Sequence, residues 1–250
     1  MKILGVIPAR YASSRFPGKP LVEILGKSMI QRVYERVSRC KVLDAVVIAT
    51  DDQRIFNHVK GFGAEVLMTS DKHTNGTERC HEVAEAYSDY DVVINIQGDE
   101  PLIEPKQIER VANLFLKNDN CHISTLIKKI TDEHTLFNSN TPKVVVDKDK
   151  RAKYFSRSTI PFLRDVERSY WLSHQNFYKH IGIYGFRSST LKKMVKLPPS
   201  FLEQSEQLEQ LRWLENGFEI YVDETEFESI GVDVPEDVAL IERRLINSKK

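Results

Sequence analysis

The sequence predicts an α/β fold organised around a mostly parallel sheet. Three short apolar segments, at residues 3–7, 45–49 and 65–68, have the composition of buried strands. The intervals between them carry apolar residues at helical spacing, so strands and helices alternate. This alternation favours parallel strands joined by right-handed crossovers. A chain of 250 residues is long enough to bury a sizeable core.

Composition and charge argue against several classes of protein. The 36 basic and 36 acidic residues cancel, so no global field attracts nucleic acid or an anionic membrane. We find no signal peptide and no apolar segment of membrane-spanning length. Cys40, Cys80 and Cys121 lack metal-ligand spacing and are most simply explained as reduced thiols. We therefore expect a cytoplasmic protein without nucleic-acid or membrane partners.

The loop after the first strand concentrates cations. Arg10, Arg15 and Lys19 lie in it, and Pro17 and Gly18 shape its backbone. Open α/β folds bind ligands at the carboxyl ends of their strands, where cations and N–H groups suit a polyphosphate. A solvated basic loop is the alternative. The glycines of a P-loop or a dinucleotide-binding fingerprint are absent.

A second polar loop, residues 69–79, follows the third strand and leads into a helix. Thr77 is the candidate N-cap of that helix. From the residues alone, an ordinary capped loop explains this segment better than a ligand-binding loop does.

Two aspartates follow predicted strands at the same expected edge of the sheet. Asp99 comes after a strand at residues 92–96, and Asp233 after one at residues 227–230. A carboxylate pair beside a polyphosphate loop predicts a Mg²⁺ site. The alternatives are that Asp99 only stabilises a turn and that Asp233 only caps the helix that begins near Pro235.

The region from residue 122 to about 230 is rich in predicted strands. His180 and Tyr184 share one strand face by the period of two, although a lone strand histidine is often structural. Glu203 and Glu206 are expected on solvated helix surface. Strands are predicted at residues 123–127, 143–146, 152–155, 178–186 and 218–222.

Seven motifs run nearly end to end along the chain. They are Pro8-Ala9-Arg10 with Arg15–Pro20, Gly76–Arg79, Asn95–Pro101, Tyr154–Arg157, His180–Gly185, Leu208–Arg212, and Gly231–Asp233 with Pro235–Asp237. In this order they resemble the CMP-KDO synthetases, the cytidylyltransferases that activate 3-deoxy-manno-octulosonate (KDO).

The resemblance implies a Rossmann-like nucleotidyltransferase fold with a mostly parallel mixed sheet and a strand-rich dimerisation extension. Residues 1–250 would form one cytidylyltransferase domain, with nucleotide binding mainly in 1–120 and sugar binding and dimerisation in about 121–230. A cytoplasmic homodimer would use Mg²⁺ to join CTP and KDO, an acidic eight-carbon keto sugar, into CMP-KDO and pyrophosphate for lipopolysaccharide synthesis.

The resemblance also assigns residues. Arg10, Arg15, Lys19, Asp99 and Asp233 would be catalytic, and the two aspartates would bind the metal. Arg157, His180, Tyr184, Glu209 and Gln210 would bind the sugar. The expected CTP contacts are Pro8, Ala9, Arg10, Ser13, Arg15, Lys19, Thr50, Asp51, Thr74, Asn75, Gly76, Arg79 and Gln97.

Two positions depart from the family pattern. Asn75 stands where a serine is expected, and Val234 where a threonine is expected. Two alternative functions also stay open. One is an enzyme for an 8-amino KDO analogue or another acidic keto sugar, and the other is a regulatory nucleotide-binding protein of the same fold.

Overall fold

The computed structural model describes residues 1–12 and 15–247 and contains two compact units. The first comprises residues 1–109 together with 229–247, and the second comprises residues 110–228. The first boundary falls inside a helix, so the chain passes from one unit to the other without a linker.

The first unit contains a sheet of parallel strands. Its strands are β1 Ile3–Ala9, β4 Ala45–Thr50, β5 Glu65–Met68 and β6 Val92–Asn95, and a separate hairpin is formed by β2 Glu23–Ile24 and β3 Lys27–Ser28. Their order is β6-β1-β4-β5. Val6 pairs with Val47 on one side and Asn95 on the other, so β1 is central among these strands. The predicted parallel sheet is confirmed.

The second unit is the strand-rich part of the chain. Its strands are β7 Ile123–Lys129, β8 Lys143–Val146, β9 Ala152–Ser156, β10 Tyr178–Arg187 and β11 Ile220–Glu224. Strand β11 runs parallel to β7, whereas the β7–β10, β10–β8 and β8–β9 pairs are antiparallel. The mixed sheet is therefore confirmed.

The helices follow the apolar periodicity of the sequence. On α1, for example, Ile30 and Val33 are fully buried, and each such burial contributes about 1.5–3 kcal/mol relative to exposure. The α-helices are α1 Met29–Val37, α2 Gln53–Gly61, α3 Gly76–Ala86, α4 Pro105–Lys117, α5 Glu133–Phe137, α6 Trp171–His174, α7 Ser188–Met194, α8 Phe201–Glu206, α9 Gln210–Glu215 and α10 Glu236–Asn247. The described residues contain no helix whose length and apolar character would let it cross a membrane.

Two local predictions are wrong. Residues 227–230 do not form a strand, because the Thr225 hydroxyl accepts from the Phe227 N–H at 3.2 Å and replaces a ladder bond with a local turn. Thr77 is not the N-cap of α3. The helix begins at Gly76, and the Asn75 side chain accepts from the Glu78 N–H at 2.8 Å.

The start of α10 is also capped differently from expectation. The Asp237 carboxylate accepts from the backbone N–H groups of Asp233 and Val234, at 2.8 and 3.0 Å. A side chain within the helix therefore replaces the threonine cap that Val234 lacks. The Asp233 carboxylate is left for other partners.

Candidate functional site

A cleft of about 450 Å³ opens in the first unit at the carboxyl ends of β1 and β6. These strands are parallel neighbours, so the loops that follow them lie side by side. The cleft is lined by Pro8, Ala9, Arg10, Ala12, Arg15, Lys19, Pro20, Met29, Gly76, Gln97, Gly98, Asp99 and Asp233. It thus contains the five residues expected to be catalytic.

Lys19 is the central cation of this cleft. It opens a short 3-10 helix, Lys19–Leu21, directly after Gly18, whose φ of 73° is favourable for glycine. Its ammonium donates to the Asp99 carboxylate at 2.6 Å and to the Val232 carbonyl oxygen at 2.7 Å. Only 13% of the side chain is exposed, so these bonds act with reduced solvent screening.

Arg15 and Arg10 lie nearer the solvent. The Arg15 guanidinium donates to Asp233 at 2.9 Å, and more than half of each side chain is exposed. Arg10 donates to the Thr74 carbonyl oxygen at 3.2 Å. Exposed contacts of this kind contribute little to stability, so both guanidinium groups can exchange these partners for a ligand at little cost.

Gly98 lets β1 and the segment after β6 approach each other closely. A Cβ atom built on Gly98 would lie 2.4 Å from the Pro8 carbonyl oxygen, well inside van der Waals contact. Every other residue type would separate these two walls of the cleft. Glycine at this position therefore permits the close approach of Pro8 to the segment that carries Asp99.

The N-terminus of α3 also faces the cleft, because Gly76 is among its lining residues. Asn75 caps the helix, and the Glu78 carboxylate accepts from the Thr74 N–H at 2.8 Å. The positive end of the helix dipole adds to the charge of the three basic side chains. This part of the cleft is suited to an anion.

Several residues expected to contact CTP lie outside the lining. Arg79 is fully buried, and it donates to the Asp51 carboxylate at 2.7 Å and to the Thr69 hydroxyl. The Thr69 N–H and hydroxyl bond the Thr50 carbonyl oxygen. Arg79 therefore connects α3 to the ends of β4 and β5. Thr74 and Asn75 are also outside the set of residues that line the cleft. Ser13 lies outside the described residues.

The donor set of the cleft fits a divalent cation with oxygen ligands. Asp99 and Asp233 both lie within 4 Å of the Lys19 ammonium, at 2.6 and 3.9 Å. Among residues 1–12 and 15–247, no three His, Cys, Asp or Glu side chains are grouped to hold a metal. Two carboxylates with water and phosphate oxygens match the preference of Mg²⁺ for keeping part of its hydration shell.

A buried carboxyl group, that of Glu100, lies directly after Asp99. The sequence did not predict a role for it. Burial raises the pKa of Glu100 to about 7, and the neighbouring Asp99 charge acts in the same direction. The group is 9% exposed. Nothing in the sequence pattern separates Glu100 from a solvated glutamate.

In the second unit, His180 and Tyr184 come together as expected, although not by simple alternation. The β7–β10 register shifts between Ile181 and Tyr184, and the two rings lie 5.1 Å apart across this bulge. The Thr125 hydroxyl contacts His180 Nε2 at 2.9 Å. Burial lowers the pKa of His180 to about 3, so the imidazole is neutral near pH 7.

Two buried polar atoms in the second unit have no hydrogen-bond partner among the described residues. They are the Tyr184 hydroxyl oxygen and Gln210 Nε2. Buried polar groups are normally hydrogen-bonded, so such atoms are candidates for contacts with a ligand. Burial raises the pKa of Tyr184, and the charge of Glu209, which immediately precedes Gln210 at the N-terminus of α9, acts in the same direction.

Arg157 is held mainly by backbone oxygens. It donates from Nε to the Glu206 carbonyl oxygen at 2.7 Å and from Nη1 to that of Ser139 at 3.2 Å. The Glu206 carboxylate accepts from the Arg157 N–H at 2.9 Å and from the Ser156 hydroxyl at 2.6 Å. Glu206 is therefore not the solvated surface residue that was expected.

Comparison with known proteins identifies close relatives. A family model described as Cytidylyltransferase matches residues 4–225. The chain is 54% identical over 243 residues to 3-deoxy-manno-octulosonate cytidylyltransferase of Parabacteroides distasonis, covering 95% of this chain and 96% of that protein. It is 50% identical over 251 residues to the protein of the same name from Bacteroides thetaiotaomicron, covering 99% of each.

A solved structure gives the same result for the fold. The structure of CMP:2-keto-3-deoxy-manno-octonic acid synthetase complexed with CTP superposes with a TM-score of 0.92 at 38% identity. The match covers 99% of this chain and 100% of that one.

Proposed function

The chain belongs to the 3-deoxy-manno-octulosonate cytidylyltransferase family, and from this membership we propose that it transfers CMP from CTP to KDO. The products are CMP-KDO, a sugar donor for lipopolysaccharide synthesis, and pyrophosphate. The observation that carries the proposal is the meeting of Lys19, Arg15 and Arg10 with Asp99 and Asp233 in one cleft. These are the groups that a reaction at a triphosphate requires.

We propose that the three basic side chains bind the triphosphate. The 2-hydroxyl oxygen of the sugar forms a bond to the α-phosphorus as the bond to the leaving pyrophosphate breaks, and the hydroxyl proton passes to water. Lys19 and Arg15 stabilise the charge that develops on the leaving group. Mg²⁺ held by Asp99 and Asp233 would neutralise phosphate charge and lower the pKa of the attacking hydroxyl.

The remaining proposed contacts are those of the base and ribose, mainly in the second polar loop, and those of the sugar, in the second unit. Thr74, Asn75, Gly76 and Gln97 are proposed to contact the base and ribose. The sugar is proposed to contact Arg157, His180, Tyr184, Glu209 and Gln210. The buried unpartnered atoms of Tyr184 and Gln210 support this placement, because a sugar hydroxyl or carboxylate would satisfy them.

A cytoplasmic homodimer completes the proposal. The proposal of a dimer rests on the resemblance of the sequence motifs to the family. Light scattering after size-exclusion chromatography tests the dimer, and a monomer at micromolar concentration would contradict it.

Pyrophosphate release with a panel of nucleotides and acid sugars tests the function itself. CTP with KDO should give the highest rate, and UTP, ATP and GTP much lower rates, because a small polar base pocket rejects bases that leave its groups unpaired. Faster turnover of the 8-amino analogue than of KDO would mean that the analogue is the preferred acceptor. Nucleotide binding without pyrophosphate release from any pair would indicate a regulatory protein.

A further inference from the structure

The second unit contains a fully buried lysine, which is rare for a charged side chain. Lys143 lies in β8, and its ammonium donates to the carbonyl oxygens of Asn138, Thr141 and Arg157 at 2.8, 2.6 and 2.7 Å. All three ammonium protons are therefore used within the protein. Burial lowers the pKa of Lys143, and the nearby Glu206 charge opposes that shift.

Glu206 holds the same segment from the other side. Its carboxylate accepts from the Arg157 N–H and the Ser156 hydroxyl, and its carbonyl oxygen accepts from Arg157 Nε. Lys143 and Glu206 thus bind both backbone polar groups of Arg157. With its backbone fixed in this way, Arg157 is held in its side chain as well, because its Nε donates to the Glu206 carbonyl oxygen at 2.7 Å.

The guanidinium retains part of its hydrogen-bonding capacity. Its Nη1 donates to the Ser139 carbonyl oxygen and its Nη2 to that of Gln207, at 3.2 and 3.4 Å, in addition to the Nε bond. Three of the five N–H groups are used, and one remains on each terminal nitrogen. Charged N–H groups of this kind are strong hydrogen-bond donors to a carboxylate.

We propose that Lys143 and Glu206 are positioning residues that fix the Arg157 guanidinium to bind the carboxylate of the acidic sugar. The inference rests on the proposed function, because it takes KDO as the acceptor. Its physical basis is preorganisation. An arginine held in its binding geometry by the empty protein loses little conformational entropy when the ligand arrives.

Steady-state kinetics with separate variation of CTP and KDO test this role. Lys143→Met and Glu206→Ala should each raise KM for KDO about tenfold and leave KM for CTP within about twofold, since tenfold corresponds to one weakened polar contact. Glu206→Gln should stay near wild type. Its amide oxygen can accept from the Arg157 N–H, while its amide nitrogen donates to the Ser156 hydroxyl oxygen.

Leu191→Ala is the control for lost stability. Leu191 is fully buried on α7 and makes none of these hydrogen bonds, so this variant should be less stable but keep the wild-type KM for KDO. If Lys143→Met does not fold, Glu206→Ala and Glu206→Gln decide the question. An unchanged KM for KDO in Glu206→Ala, or equal increases of both KM values, would overturn the inference.

Calorimetric titration with KDO separates this inference from the proposed function. A wild-type protein that releases no pyrophosphate would contradict the function. The KDO affinities of wild type, Glu206→Ala and Glu206→Gln would still test the positioning role. Weaker binding in Glu206→Ala alone supports it, and equal or absent binding in all three overturns it.

Discussion

The ammonium of Lys19 lies 2.6 Å from the Asp99 carboxylate, so the cation proposed for the triphosphate is paired with a carboxylate proposed for the metal. The Lys19 side chain is 13% exposed and that of Asp99 is 32% exposed. If Mg²⁺ and nucleotide bind as proposed, Lys19 would exchange Asp99 for a phosphate oxygen and Asp99 would exchange Lys19 for the metal. Under that proposal, binding in the cleft is an exchange of ionic partners.

Lys19→Ala and Arg15→Ala should each lower kcat by roughly 10²-fold, because each removes a charge-assisted contact to the developing phosphate charge. Pyrophosphate release at saturating CTP and KDO measures the effect. Lys41→Ala, which changes an exposed lysine of the same unit outside both loops, should keep the wild-type rate. Folded variants of Lys19 and Arg15 with normal turnover would contradict the phosphate assignment.

Asp233→Asn should abolish the tight binding of Mn²⁺, a spectroscopic substitute for Mg²⁺, to the protein–CTP complex, because one anionic ligand is lost. Electron paramagnetic resonance measures bound Mn²⁺, and wild type without CTP should bind it weakly. Asp237→Asn is the matched control, since asparagine also caps helices and Asp237 bonds only backbone N–H groups at this site. Normal Mn²⁺ binding in Asp233→Asn would mean that Asp99 holds the metal without Asp233.

Gly98→Ala should destabilise the protein by about 1–3 kcal/mol and weaken CTP binding, because its methyl group would press on the Pro8 carbonyl oxygen. Chemical denaturation and CTP titration measure the two effects. Gly61→Ala is the control, because no atom lies within 4 Å of the added methyl at the end of α2. Equal stability of the two variants would show that the strands can move apart freely.

Asn75→Ser should preserve the stability of α3 and change CTP affinity only modestly, because serine caps helices as well as asparagine does. Asn75→Ala should lower the free energy of unfolding by about 1 kcal/mol. Thermal denaturation and kinetics distinguish the two variants. A large loss of turnover in Asn75→Ser would mean that this loop contacts the reacting groups.

The buried His180 should make the protein less stable in mild acid. Burial lowers its pKa from the ordinary value of about 6.5 to about 3, so between these values the unfolded chain binds a proton that the folded protein does not. Stability is therefore lost as pH falls through this window. From pH 6.5 to 5.0 the wild type should lose roughly 2 kcal/mol more than His180→Gln. Identical pH dependence in denaturant titrations would show that His180 is protonated in the folded state.

Periodicity predicted the regular elements of the first unit well because strands β1, β4 and β6 are buried on both faces. A buried parallel strand needs an unbroken apolar run, and such a run is visible in one sequence. Once the strands were predicted, Arg10, Lys19 and Asp99 could be placed at the carboxyl ends of strands, because each follows a strand directly or lies in the first loop.

Other features depend on partners that are distant in sequence. Asp233 lies in the cleft on an irregular segment. The argument from strand ends therefore predicted its location correctly, although the strand on which that argument depended is not formed. Glu206 resembles any glutamate on a short exposed helix until the Arg157 backbone is placed beside it. Asn75 and Thr77 are both good caps, and sequence alone did not decide which of them begins α3.

If the cleft binds CTP as proposed, its charges also favour one form of the nucleotide over another. Three basic side chains and two carboxylates leave a small net positive charge, too little to neutralise a free, fully ionised triphosphate. The magnesium complex of the nucleotide carries two fewer negative charges and comes much closer to balance. Because so little net charge remains, attraction at long range is weak and the association rate should depend only slightly on ionic strength. Under the proposed function, the cleft would then select its ligand by local matching of charges after contact.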